Sequence, residues 1–220
     1  MDPDLERPRA RPGWLTTFGI IAVVLGSFGI VGGIQMLSQS RASPADVERQ
    51  FMRSYERMPL MKGQPKELKD GVKLAVPGFI AVEHRWKKQR VALAVANMLL
   101  SAMLLIGALQ GLRLLPSGRW LWLNASLALI PVELVAATVT ILMARDQAEV
   151  FVAAMVKAAD VPQAAGELAV VRKLWVGVAV TIGGLKALTL VGYYVATLVM
   201  LTKERVRALF VAPPARDPAE

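Results

Sequence analysis

Residues 120–144 read WLWLNASLALIPVELVAATVTILMA and carry one charge, Glu133. A bilayer core of about 30 Å is crossed by about 20 apolar residues in a helix, so this run is long enough to span. Just before it, Val91 to Leu112 contains no charged residue and ends at Arg113. The Pro116-Ser117-Gly118 sequence between the two runs predicts a tight turn and an antiparallel hairpin. Further out, Trp14 to Leu37 meets no charge until Arg41, and Leu174 to Leu201 has only Lys186. Lipid offers backbone groups no water, so segments of this kind span as helices. The expected fold is all-α, a polytopic membrane protein with transmembrane helices at 14–37, 91–112, 120–144 and 174–201.

The composition points the same way. The 220 residues are 55% hydrophobic with a net charge of +9, and the mean hydropathy is +0.45. Soluble domains are about 45–50% apolar. This pairing of apolar and basic character argues against a disordered chain and a secreted disulfide scaffold. The absence of cysteine removes disulfides, thiolate nucleophiles and cysteine-ligated metals. His84 is the only histidine, so two histidines of one chain cannot share a metal. There is no dinucleotide fingerprint, Walker loop or nucleophile elbow. No catalytic residue, metal or cofactor is expected, and the chain is read as a non-enzyme.

The first span follows Arg7, Arg9 and Arg11, and Ser40-Arg41-Ala42 resembles a signal cleavage site. A signal peptide carries an apolar stretch of only about 7–15 residues, so this longer run is read as retained. Residues 1–13 are expected to form a mobile tail ahead of it.

The connections 43–90 and 146–173 carry helix signals of their own. Ser43-Pro44 with Asp46 predicts an N-cap. Val47, Phe51, Tyr55 and Met58 then make one apolar stripe, and Leu68, Val72 and Val76 make another. Pro77-Gly78 is expected to break that second helix. Val150, Phe151, Met155 and Val156 predict a short amphipathic helix that ends at Val161-Pro162. Both connections are read as amphipathic caps on one side of the membrane, against headgroups or against each other. Within 202–220, Thr202 to Val211 is expected to extend the last span along the headgroup surface, before Pro213-Pro214 and a mobile end.

The N-terminus, hairpin turn and C-terminus share the opposite side. Basic residues near the membrane are almost evenly divided. The three arginines before the first span therefore place both termini in the cytoplasm, because the first helix usually sets orientation. Sixteen arginines to ten lysines hint at a GC-rich bacterial genome, and with the four spans the expected location is the bacterial inner membrane, multi-pass. Arg85, Trp86, Lys87, Lys88 and Arg90 stand directly before the second span and are read as headgroup contacts rather than a nucleic-acid platform.

Two features inside the spans stand out. Gly19, Ala22, Gly26, Gly29 and Gly33 recur at three- and four-residue steps, giving a small-residue seam for close helix packing. The neighbour is another span of this chain or a second subunit. Asn97, Ser101, Ala108 and Gly111 offer a similar face on the second span. The other feature is ionic. Glu133 and Lys186 lie at matched depth on antiparallel spans, and a lone charge at mid-bilayer costs about 2.5–3.5 kcal/mol. They are expected to pair. Ser126 and Thr140 share the face of Glu133, while Thr189 and Tyr193 share that of Lys186. Pro131 leaves the Leu127 carbonyl without its usual donor.

The functional expectation is a structural or accessory membrane subunit that associates with other membrane helices, as a homo-oligomer or with another membrane protein. The alternative is a small transporter or channel built on Glu133 and Lys186.

Overall fold

The computed structural model describes residues 12–41, 43, 45–46, 48–49, 52–53, 66–159 and 164–211. Among them there is no strand. The long elements are α1 (Gly13–Ser40), α2 (Lys66–Leu112), α3 (Pro116–Ala159) and α4 (Ala164–Thr202), followed by the short α5 (Glu204–Arg207) and a 3-10 turn at Ala208–Phe210. Each of α1 to α4 contains a stretch long and apolar enough to cross a membrane. Arg7, Arg9 and Arg11, the Val47–Met58 stripe, Val161-Pro162 and Pro213-Pro214 lie outside the described residues.

The chain divides into two compact units. One comprises Met1–Ile34, Val95–Val132 and Thr189–Glu220; the other comprises Gln35–Ala94 and Glu133–Leu188.

In the first unit the α1 seam is the packing surface. Leu15, Gly19, Ala22, Gly26 and Gly33 are its buried residues. Ile20, Val24, Phe28 and Val31 are exposed on the other side. The core adds Leu104 and Ala108 of α2, Trp122, Ala125 and Leu129 of α3, and Tyr194 and Leu201 of α4. Backbones approach closely where α2 meets α3. A Cβ placed on Gly107 would lie 2.6 Å from the Trp122 amide nitrogen.

The hairpin turn falls earlier than Pro116-Ser117-Gly118. Leu114 takes a left-handed conformation with φ 59°. The Leu115 amide donates to Gln110 O at 3.1 Å and the Leu114 amide to Gly111 O at 2.9 Å. This is a Schellman closure of α2, with leucine where glycine is usual. Pro116 then opens α3, where its missing N–H costs nothing. Gly118 sits in the first turn of α3 because it passes against the α2 backbone, where a Cβ would lie 2.5 Å from the Gln110 carbonyl carbon.

The chain after the last span also departs from expectation. Lys203 is extended at φ −60°, ψ 137°, so α4 ends at Thr202 and does not run on. Arg119 Nε donates to Leu201 O at 2.9 Å, occupying a carbonyl that a continuing helix would have used. Val206 and Phe210 are buried in the core of this unit, with Leu209 packed beside them. Their apolar faces find protein rather than headgroups.

In the second unit the two connecting segments pack against each other as parts of α2 and α3. Ala75, Phe79 and Ala154 form a core with Val150 and Phe151. Trp175 of α4 stands 5.5 Å from Phe151 and 6.4 Å from Phe79, centroid to centroid. Neither the described 66–90 part of the first connection nor 146–159 of the second is a separate short helix. Helix α2 runs 47 residues and contains Pro77, and α3 runs 44 residues. Pro77 forfeits one backbone bond, but it is itself exposed, while Val76 and Phe79 beside it are buried. Close packing of Gly78 on Val150 and of Gly71 on Met155 holds the helix through the interruption. The predicted N-cap does form: the Asp46 amide donates to Ser43 Oγ at 3.2 Å, and the Ser43 hydroxyl donates to the Asp46 carboxylate at 2.6 Å.

Candidate functional site

Glu133 and Lys186 belong to the second unit. Their charged groups are 3.9 Å apart, with the Glu133 side chain 9% exposed and the Lys186 side chain 69% exposed. The pair is lopsided. The carboxylate is enclosed, whereas the ammonium stands on the outer surface of an apolar helix.

The surroundings of Lys186 explain the exposure. From Val170 to Leu188, the side chains of Val170, Leu174, Val178, Ile182, Leu185 and Leu188 are all exposed. Ala187 is the only buried residue of α4 in that range. Of the apolar window in α4, 6% is buried, against 17–28% in the other three helices. Gly177, Gly183 and Gly184 lie in this stretch, and a Cβ on any of them would meet nothing within 4 Å.

The polar neighbours named from the sequence are divided between the two units. Thr140 is exposed and its hydroxyl donates to Ala136 O, one turn back, at 2.8 Å. Ser126, Thr189 and Tyr193 fall in the first unit. Ser126 is fully buried. The Tyr193 hydroxyl donates to Phe18 O at 2.8 Å, and its ring stacks on Phe18 at 5.8 Å. Leu127 and Pro131 line a groove of about 580 Å³, together with Leu100, Met103, Asn124 and Ile130. It is almost wholly apolar.

The α1 seam is occupied by this chain's own α2. A Cβ on Gly19 would strike Leu112, one on Gly26 would strike Ser101 and Leu105, and one on Gly29 would strike Ser101. Of the two neighbours the sequence allows, the second span fills the seam.

The basic cluster is also partly engaged. Arg85 Nη1 and Trp86 Nε1 both donate to Asp146 Oδ2, at 3.2 and 3.0 Å. Arg90 pairs with Glu83. Lys87 and Lys88 remain exposed. Among the described residues, no group of three His, Asp or Glu is placed to hold a metal.

Sequence reasoning passed over Trp122 and Thr197. Trp122 lies four residues before Ser126 and Thr197 four after Tyr193, so each shares a helix face with a residue already singled out. The open glycines of α4 were also missed, because their spacing is less regular than that of the α1 seam.

The class defined by these observations is an all-helical protein with four helices able to cross a membrane. Comparison with protein-family models, characterised proteins and solved structures finds no match.

Proposed function

We propose that this chain is a multi-pass membrane subunit, non-catalytic, that binds a transmembrane helix of another membrane protein along α4 between Val170 and Leu188. In this reading the spans are 14–37, 91–112, 120–144 and 174–201, with both termini cytoplasmic.

The observation that carries the reading is the exposed ammonium of Lys186 amid open glycines. Apolar side chains facing lipid need no partner, since lipid tails are as apolar as leucine. A lysine at mid-span does need one. Glu133 approaches from one side, and an ammonium has three donors, so an acceptor on a partner helix completes the set. Helical glycine is unfavourable by about 1 kcal/mol against alanine. Close approach of another backbone offsets that cost, and among the described residues none makes that approach. A twofold pairing of two copies on this face would set Lys186 against Lys186, so the partner is a different protein with a carboxylate or other acceptor at that level.

Photo-crosslinking in native membranes tests this. A photoreactive residue at Val178, Ile182 or Leu185 is expected to give one discrete heterologous adduct, lost on Gly184→Leu. Val24 and Phe28 of α1 should give lipid adducts only. Lipid adducts at every position, or an adduct with the mass of two copies, would overturn the proposal. So would purified protein that carries a solute flux in liposomes abolished by Glu133→Gln with Lys186→Met, which would make the pair a transport element.

A further inference from the structure

Within the first unit, the segments 113–119 and 203–211 carry Arg113, Arg119, Lys203, Arg205 and Arg207 against one acid, Glu204. The bond from Arg119 Nε to Leu201 O, at 2.9 Å, brings the start of α3 to the end of α4, where the second of these segments begins.

These charges are held by the fold. Val206 and Phe210 are buried in the core of the unit and anchor α5 and the 3-10 turn. Glu204, Arg205 and Arg207 are left exposed. Arg119 is fixed through its Nε, which leaves the two terminal nitrogens of its guanidinium with no bond among the described residues. Partial burial, and after it the nearby charge of Arg207, lowers the affinity of this guanidinium for its proton, though both arginines stay cationic at any ordinary pH. Among the described residues no carboxylate stands within salt-bridge reach of either one. Two like charges fixed near each other repel, and an anion between them replaces the repulsion with two attractions.

The position selects the anion. Trp120, beside Arg119, is 62% exposed and opens the third span, where tryptophan sits at headgroup level. In the multi-pass reading, on which this inference rests, this end of the unit faces the cytoplasm, and the cytoplasmic leaflet carries anionic lipid. Lipid phosphates lie at that depth, and the paired N–H groups of a guanidinium match phosphate oxygens in a fork. We propose that Arg119 and Arg207 hold the headgroup phosphate of one anionic phospholipid beside Trp120. Arg113, Lys203 and Arg205 raise the positive potential around the site. Bound there, the lipid ties the start of α3 to α5 and removes the repulsion between the two arginines.

The test places the full chain in nanodiscs of phosphatidylcholine with a minority of phosphatidylglycerol. Native mass spectrometry then reads the lipids that stay bound on release. The expected result is one phosphatidylglycerol retained in preference to phosphatidylcholine. Arg207→Gln leaves the Arg119 bond intact and should lower that preference about fivefold, the worth of one basic residue at an anionic surface. Lys157→Gln removes the same charge from an exposed position of the second unit and should leave the preference unchanged. Equal losses in the two variants would overturn the proposal, since the attraction would then be general. Displacement of the lipid by inorganic phosphate at constant ionic strength would mark a site for the free anion and overturn the lipid assignment. A chain that stays in discs but selects no phosphatidylglycerol overturns this inference alone; a chain that enters no disc overturns the membrane reading beneath it.

Discussion

Replacing Gly26 by alanine adds one methyl group at the closest point of the α1 seam. An ideal Cβ there lies 2.8 Å from Ser101 O and 2.9 Å from Leu105 Cβ. Comfortable carbon contacts begin near about 3.5 Å, so α1 and α2 must part locally by roughly 0.5–1 Å. One of the obstructing atoms is backbone and cannot swing aside. Overpacking of this kind costs about 1–3 kcal/mol, and alanine's better helix propensity returns about 1 kcal/mol. The expected net loss is about 0–2 kcal/mol. Gly32→Ala is the matched control: a Cβ at Gly32 meets nothing within 4 Å, so stability should hold or rise by up to about 1 kcal/mol. The two variants should therefore differ by the overpacking cost, about 1–3 kcal/mol, in reversible unfolding from mild detergent into dodecyl sulfate, followed by tryptophan fluorescence. Equal shifts for Gly26→Ala and Gly32→Ala would refute the claim that the seam is a packing surface within the chain.

The ion pair yields to a mutant cycle. Glu133→Gln leaves the Lys186 ammonium without the carboxylate 3.9 Å away and should cost about 2 kcal/mol, somewhat less than the full insertion cost of a mid-span charge. Adding Lys186→Met should restore most of it, because no charge is left inside the span; a double variant as unstable as the single one would contradict the pairing. Tyr193→Phe keeps the ring stack on Phe18 but removes the bond to Phe18 O, and should lower unfolding stability by about 1 kcal/mol. The Ser43 hydroxyl bonded to Asp46 holds that carboxyl below its usual value, which is about 3.9. A depressed folded value means the cap stabilises the helix start above the unfolded pKa and is lost as pH falls through the folded one. Carboxyl ¹³C titration should show Ser43→Ala returning Asp46 upward, and an unchanged midpoint would count against the cap.

Four helices long and apolar enough to cross a membrane were legible because the requirement of about 20 apolar residues is one of length and composition, which a sequence displays directly. The face of the α1 seam was legible for a similar reason, since three- and four-residue steps put Gly19 through Gly33 on one side. What covers that face was legible in part: the small-residue face of the second span through Asn97 and Ser101 does meet it, but Leu105 and Leu112, which also pack there, carry no such signal. The helix break read at Pro77 followed the rule for an isolated helix and missed the grip of Val150 and Met155 on Gly78 and Gly71. The turn was misplaced because leucine in a left-handed conformation at Leu114 carries no sequence signal, although proline as the first residue of a helix would have put Pro116 inside α3. The polar site was drawn toward Glu133 and Lys186 because charge is conspicuous. The buried Trp122 and Thr197 are residue types that sit in lipid-facing helices just as often, and only the direction of the side chains separates the two cases.

Helices α1 and α4 use the same residue in opposite ways. On α1, Gly19, Gly26 and Gly29 are spent on contact with α2, and the bulky residues face outward. On α4, Gly177, Gly183 and Gly184 face outward together with the bulky residues. A helix that only needed to meet lipid would gain from alanine at those positions, and would gain again from losing the charge of Lys186. Both features are unfavourable for the chain alone, and they occur in the same stretch of one helix. A partner helix packed there removes both costs at once: it brings backbone against the glycines and an acceptor to the ammonium. Lipid removes neither, and a second copy on a twofold axis removes only the first.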